Sequence, residues 1–372
     1  MTSRGLGDRQ RRPPFIFVSL LGLLILGTIA FRLYLPTIIL NRTNHVLSKI
    51  PGYYGHIDRV GVHLWRSAYS IEGFELLKTD GDVPVPFVSV KTIDFSLAWK
   101  ALFHGNLAGK VVLEEPTINF VTGGNAAQQQ TSIDKSWQDR VKELFPLRIE
   151  RLQMTDGEIH FRNYHTDPPI DIFLHKIFLV ATNLTNSKRF THTLKATIDA
   201  HAEAMSTGDL RMHMVVDPLG TGKTFEMQLE LKHLALTELN DFFRHYLAVE
   251  MKQGTLSLYM EGAAENSKFA GYVKPLLEKP DLVKIKENAS VLEALKGFVV
   301  KMIAYVLKNH PKDRLATRIE ITGDLDHLQP NIWTGVASFL GNWLIKAIAP
   351  GLEGGVTLKS ARKQTVPFAP KQ

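Results

Sequence analysis

The sequence predicts a mainly β protein with some α structure, in which one N-terminal transmembrane helix precedes an antiparallel β-sheet with helices packed on it. Three observations predict this class. An uncharged apolar run follows a basic N-terminus, most of the remaining chain alternates apolar and polar residues, and long apolar stretches recur at only a few places. A long uncharged run is typical of a membrane span, and strict alternation is typical of strands with one apolar face.

Residues 15–40 are predicted to form a transmembrane anchor behind a basic tail, residues 1–14. The uncharged run is near the lower length limit for a membrane span. The positive-inside rule places the tail in the cytoplasm and the body outside, which in a bacterium means a single-pass inner-membrane protein with a periplasmic body. A cleaved signal peptide and a buried core helix are the alternatives, but the run is longer than most signal-peptide cores. The topology signal is Arg9, Arg11 and Arg12, and the apolar anchor candidates are Phe15, Leu20, Leu24, Leu26 and Phe31.

Residues 41–350 are predicted to form one β-rich domain, followed by a basic, flexible tail at 351–372. Apolar and polar residues alternate in many short runs, and turn signals such as Asp156-Gly157 and Gly254 separate them. Alternation puts the apolar side chains of a strand on one face. That face is either an open groove suited to an acyl chain or an ordinary sealed core, and the pattern alone favours the core. The groove candidates are Phe95, Phe161, Leu174, Leu179, Ile198, Met212, Met214, Met227, Leu229 and Leu258.

Longer apolar stretches predict a few helices in the body. The last of them carries Asn342 and Lys346, so packing on the sheet is favoured over lying on the membrane surface or forming a second span. A loose internal repeat relates residues 103–120 to residues 147–161, each with two strand-like halves. The predicted helices are residues 134–145, 236–247, 289–307 and 332–349.

The formal net charge of +7 is concentrated at the two ends of the chain. Residues 1–14 and residues 351–372 each hold four basic residues against one acidic residue, so the body is almost neutral. A nearly neutral body does not favour nucleic-acid binding, which needs a basic surface on the folded domain. The chain has no cysteine, which excludes disulfides, thiol nucleophiles and cysteine-bound zinc.

No catalytic or metal-binding set of residues stands out, so we expect no enzyme activity, no cofactor and no metal. Residues 217–224 resemble a phosphate-binding loop, but strand-like alternation follows them where a helix is required, which favours a β-turn and no nucleotide. The histidines lack metal-ligand spacing, and His160 and His165 are expected to be solvated. Glu114 and Glu115 are adjacent on a strand and should face opposite ways.

Many short motifs in order resemble a bacterial AsmA-like family of unknown function, a branch of the AsmA/TamB/YhdP/YdbH superfamily. The resemblance implies an inner-membrane helix and a periplasmic body built as a curved, groove-like sheet with an apolar interior. The long superfamily members are implicated in moving phospholipid between the two membranes. A dozen or so strands at ~4.8 Å each would span roughly 60 Å at most, too short for a complete bridge across a periplasm. The motifs are Asn41–Leu47, Ile50–Ile57, Leu64–Phe74, Ile93–Gly105, Glu115–Val121, Asp156–Asn163, Ala181–Asn186, Leu239–Phe242 and Gly271–Leu276.

Taken together, pattern and resemblance predict a membrane-anchored periplasmic protein whose apolar β-groove binds lipid acyl chains. Such a protein would assist envelope lipid transport or outer-membrane homeostasis. The expected partners are a phospholipid or other acyl lipid and the inner membrane, with envelope proteins as further candidates. The alternative is a non-enzymatic anchored scaffold or assembly factor for envelope proteins, with a sealed core.

Overall fold

The computed structural model of the chain consists of one long N-terminal helix, a large β-sheet and a short helical segment between two of the strands. It describes residues 15–63, 68–79, 83–97, 108–122, 130, 148–184, 196–217, 223–247, 249–284, 314–316, 318–325, 352, 356–358 and 360. The mainly β class with few helices is confirmed in these residues. The predicted helices at 134–145, 289–307 and 332–349 lie outside them, as does the basic tail with Arg9, Arg11 and Arg12.

The strands all belong to a single 14-stranded sheet within the described residues. They are β1 (Tyr53–His56), β2 (Arg59–His63), β3 (Ala68–Lys78), β4 (Val88–Leu97), β5 (Ala108–Thr122), β6 (Arg148–Asn163), β7 (Ile170–Thr182), β8 (Ala196–Ala204), β9 (Gly208–Val216), β10 (Phe225–Ala235), β11 (Val249–Glu265), β12 (Lys268–Lys284), β13 (Arg314–Ala316) and β14 (Ile319–Asp324). Their order is β1-β3-β4-β5-β6-β7-β8-β9-β10-β11-β12-β13, with β2 also paired to β3 and β14 to β12.

The predicted antiparallel sheet is corrected to a mixed one, because β5 and β6 pair in parallel. These two strands contain the two loosely repeated segments. The segments pair with similar residues opposite each other: Ile118 lies opposite Ile159 and Phe120 opposite Phe161. Two parallel strands cannot be joined by a hairpin, so the chain must return to the starting edge of the sheet before β6 begins. Residues 123–147 connect the two strands along the chain.

Two predicted turns are wrong, because the chain continues through them as one strand. Asp156 has a positive φ of 51°, and the pairing of β6 with β7 shifts its register beside Gly157. Gly254 has a φ of 118° inside β11, where the register with β12 also shifts. A single residue in left-handed geometry produces a β-bulge rather than a reversal, and Asp and Gly suit both features.

The N-terminal helix α1 (Phe15–Leu47) is long and apolar enough to cross a membrane. Within Ser19–Leu47, the most apolar stretch has a mean hydropathy of 2.0, and none of it is buried in the protein. The exposed side chains include Leu20, Leu24, Leu26 and Phe31, and Leu20 is 67% exposed. An exposed, uniformly apolar helix surface is stable in lipid and costly in water.

Helix α1 continues beyond residue 40, the predicted end of the anchor, to Leu47, and its last turns dock on the sheet. Asn44 explains the continuation, because its amide side chain accepts from the Ile57 backbone N–H at 2.8 Å and donates to the Ile57 carbonyl at 3.1 Å. Leu47 is only 2% exposed and joins Ile71 and Leu76 in the largest buried cluster. The last turns of α1 are therefore part of the folded body.

The helix predicted at 236–247 is confirmed as a 3-10 turn, Leu236–Leu239, that leads into α2 (Asn240–Leu247). The strand predicted after the loop at residues 217–224 is also confirmed, since β10 begins at Phe225 and pairs antiparallel with β9. A phosphate-binding loop would need a helix at this position.

Candidate functional site

The strand register places every groove candidate on one face of the sheet, which we call the apolar face. Residues directly opposite each other in neighbouring strands lie on the same side of a sheet, so ladder partners can be followed from strand to strand. Followed in this way from β2 to β14, one unbroken line of apolar residues crosses the whole sheet. This central apolar row is Val60, Ile71, Ile93, Leu113, Met154, Leu179, Ala200, Met212, Leu229, Met260, Val273 and Ile319.

A second row runs beside the first and contains further groove candidates. It consists of Tyr69, Phe95, Val111, Leu152, Ala181, Ile198, Met214 and Met227. On the other side of the central row, Leu258 lies opposite Leu231, and Leu174 lies opposite Ile159. Phe161 stacks on Phe120 with ring centroids 5.1 Å apart. The structure thus brings all the candidates together on one surface.

Coverage of the apolar face changes along the sheet. Phe95 is buried, 4% exposed, within the cluster that α1 forms with the first strands. All the other groove candidates, from Phe161 to Leu258, are only half-buried. A second buried cluster, around Phe269, Ile319 and Ile321, lies at the other end of the sheet on β12 and β14. The middle strands, β6 to β10, therefore present partly covered apolar side chains between two sealed ends.

Helix α1 leaves the sheet at one particular edge. Leu47 lies against Gly55, where an added Cβ would be 2.9 Å from the Leu47 Cβ, and Asn44 binds Ile57. Helix α1 therefore runs antiparallel to the segment formed by β1 and β2, and it also contacts β2. The exposed apolar part of α1 extends past the end of β2. We call this edge the anchor edge; its strand ends are His63, Ala68, Leu97, Gly109, Thr182, Ala196, Val216 and Phe225.

Helix α2 lies at the opposite edge, which we call the far edge; its strand ends are Lys78, Val88, Thr122, Asn163, Ile170, Ala204, Gly208 and Ala235. Phe243 of α2 packs on a buried cluster of Leu236, Met251 and Leu277, together with Leu256. Leu256 and Leu277 are ladder partners on the apolar face. The aromatic side chains of α2 were not among the predicted groove candidates. Three aromatic residues within five positions of a short amphipathic helix could have indicated them.

The polar face of the sheet holds a cavity of about 660 Å³ that the sequence reasoning missed. Its lining includes His201, Arg211 and Glu230, which are ladder partners across β8, β9 and β10. The side chains pair with each other: the Asp199 carboxylate is 2.6 Å from Nδ1 of His213. The polar residues that alternate with the apolar ones in β8, β9 and β10 were the sequence signal for this surface.

The described part of the C-terminal tail lies on this polar face. Leu352 lines the cavity. The backbone N–H of Leu358 donates to Glu226 at 2.8 Å, and that of Val356 donates to Glu261 at 3.3 Å. Carboxylates on β10 and β11 thus accept hydrogen bonds from backbone N–H groups of the tail.

The expectation that His160 is solvated is wrong, because this side chain is buried in an ionic network on the polar face. Its ring Nδ1 is 2.9 Å from Asp171, and Arg162 donates to Asp171 at 3.0 Å. Burial alone would raise the pKa of Asp171, but hydrogen bonds and charge from His160 and Arg162 lower it overall. Among the described residues, no group of three or more His, Asp or Glu side chains is arranged to hold a metal ion.

The carboxylates of Glu114 and Glu115 do not form a pair. Glu115 has a positive φ of 48° and binds Lys91. Both residues are exposed.

Comparison of the chain with protein-family models gives no match, and comparison with curated proteins gives none either.

Proposed function

We propose that this chain is a membrane-anchored protein whose apolar sheet face binds the acyl chains of lipids and so assists lipid transport or membrane homeostasis in a bacterial envelope. The observation that carries the proposal is the central apolar row, which crosses the whole sheet without a polar interruption and is only half-buried at the middle strands. The motif resemblance to the AsmA-like family supports it.

The chemistry of the face supports an apolar chain as the ligand. Side chains such as Met212, Met214 and Leu229 offer dispersion contacts but no strong hydrogen-bonding groups, so a polar ligand would lose its hydration without compensation. A hydrocarbon gains ~0.8 kcal/mol for each buried methylene group. Methionine adapts its unbranched side chain to irregular neighbours, which suits acyl chains of varied conformation.

The position of α1 supports a lipid source beside the site. The exposed apolar part of the helix extends beyond the anchor edge, so a membrane around it would lie next to the strand ends of the apolar face. Arg9, Arg11 and Arg12 precede the helix, and the positive-inside rule then gives a cytoplasmic N-terminus and a periplasmic body in the inner membrane.

The second candidate, an anchored scaffold for envelope proteins with a sealed core, is favoured by the two buried clusters at the ends of the sheet. In that case the middle strands would be covered by protein and would not contact lipid.

Photo-crosslinking in membranes separates the two functions. A photoreactive amino acid at Met227, on the apolar face, is expected to capture phospholipid in the full-length protein. The same group at Gln228, the next residue and therefore on the polar face, is the matched control and should capture none. Absence of lipid adducts at both Met227 and Met214, or capture of protein alone, would contradict lipid binding and support the scaffold.

A further inference from the structure

Helix α2 lies across the far end of the apolar face and is attached at both of its ends. At its start, the Asn240 side chain donates to the Met251 carbonyl at 2.9 Å and accepts from the Met251 N–H at 2.8 Å. Near its end, the Tyr246 hydroxyl accepts from the Asn163 side chain at 3.1 Å. Met251 belongs to β11 and Asn163 to β6, so α2 connects strands separated by β7 to β10.

The attachment to β6 is on the apolar side of the sheet. Asn163 is two residues from Phe161, so both side chains lie on the same face. Phe243 packs against the cluster that contains Leu277, and Leu277 is the ladder partner of Leu256 on that face. Therefore α2 lies over the ends of the middle strands rather than beside the sheet.

The helix presents aromatic rings to the sheet and charged groups to solvent. Phe242 contacts both Phe243 and Tyr246, with centroid distances of 6.0 and 4.9 Å. These three side chains are half-buried, whereas Arg244 and His245 are exposed. Arg244 also binds Glu250 at the start of β11, at 2.5 Å. The result is a short aromatic wall, fixed by polar contacts.

The apolar face is thus asymmetric along the strands. At the anchor edge it is next to the point where the membrane helix leaves the sheet, and at the far edge α2 covers it. An acyl chain that enters from the membrane would extend along the strands toward α2. Bulky, fixed aromatic rings would then limit how many of its methylene groups can be buried.

We propose that α2 is the end wall of the acyl-chain site and that Phe243, Tyr246 and Asn163 determine the longest chain the site accepts. This inference rests on the proposed function and adds its specificity. The ligand class is a straight-chain saturated lipid tail, with the methyl end toward α2.

The test uses the full-length chain held in amphipol, with laurate, palmitate and arachidate as probes that displace fluorescent cis-parinarate. The wild type should bind palmitate more tightly than laurate and gain nothing further with arachidate. In Phe243→Ala and in Asn163→Ala, the arachidate-to-palmitate affinity ratio should rise about fourfold for each methylene group newly buried, which corresponds to ~0.8 kcal/mol. Thr237→Ala, at an exposed position in the 3-10 turn before α2, should leave the ratio unchanged.

The possible outcomes distinguish the two proposals. If the wild type binds no fatty acid of any length, the proposed function itself is contradicted. If the wild type binds but both variants keep its ratio, or weaken all three probes equally, the end wall is overturned while lipid binding stands. Asn163→Ala removes the contact to Tyr246 and the local bond that its Oδ1 accepts from the His165 N–H, and it leaves the Phe243 cluster intact. It therefore still tests the end wall if Phe243→Ala fails to fold.

Discussion

Along the central apolar row, the same kind of side chain has different surroundings at different strands. Ile71 in β3 is 1% exposed inside the cluster that receives the end of α1, whereas Leu229 in β10 is half-buried. A fully packed aliphatic side chain contributes through both transfer from water and the absence of a cavity. A partly covered one contributes less to folding and is available to a ligand.

We therefore expect matched truncations in this row to separate stability from binding. Ile71→Ala should reduce the free energy of unfolding by about 2–5 kcal/mol, because it leaves a cavity in a sealed cluster. Leu229→Ala should cost clearly less but should weaken cis-parinarate binding. Denaturant unfolding and probe titration of the two variants check this. Equal destabilisation with unchanged probe binding would show that β10 is an ordinary core strand.

The network around His160 predicts a particular pH dependence. The pKa of Asp171 is lowered from the ordinary 3.8, so its stabilising contribution is complete above that value and is lost as the pH falls through the lowered pKa in the folded state. Unfolding free energies measured across the acid range should fall more steeply for the wild type than for Asp171→Asn. Parallel pH curves for the two proteins would show that Asp171 does not contribute to the pH dependence of stability.

At the level of the elements, α1 combines a stretch that is long and apolar enough to cross a membrane with a last part that belongs to the folded body. Its last turns are fixed to the start of the sheet by Leu47 and by the paired hydrogen bonds of Asn44 with Ile57. A helix that continues from lipid into the folded core without a loop transmits its orientation to the sheet. In the proposed membrane-anchored arrangement, the anchor edge would therefore lie close to the membrane surface.

Removing this attachment should loosen the start of the body. Asn44→Ala leaves the two Ile57 backbone groups without their partner, which should cost about 1–3 kcal/mol and make residues 48–52 susceptible to protease. Ser48→Ala is the control, because that hydroxyl is exposed and donates to the nearby His45 carbonyl within the same helix end. Equal resistance of Asn44→Ala and wild type would mean that apolar packing alone fixes the helix end.

The elements also show where sequence reasoning succeeds. Alternation at Met212, Met214 and Met227 assigns these residues to one face, because the side-chain period of a strand is independent of its neighbours. Strand direction is different, since β5 and β6 have the same alternation whether they pair parallel or antiparallel. The bulge at Asp156 was missed because a left-handed residue serves equally in a turn.

For the whole molecule, an apolar surface was predictable from sequence, but its continuity was not. The central apolar row depends on the register of every ladder, which long-range pairing fixes and local pattern does not. The position of α2 was equally hidden, because the Tyr246–Asn163 contact joins residues far apart in the chain. Coverage of the face also depends on packing between elements, so the open-groove and sealed-core interpretations share one sequence pattern.

The most direct test of the central claim is methyl NMR of the full-length chain, labelled at its methionines, in the presence of nitroxide-labelled stearate. Met212, Met214 and Met227 lie on the half-buried apolar face, and Met205, buried beside Phe173, is an internal control. We predict that the nitroxide broadens the signals of the first three and leaves that of Met205 sharp. Four signals that remain equally sharp at saturating stearate would contradict the assignment of the apolar face as an acyl-chain site.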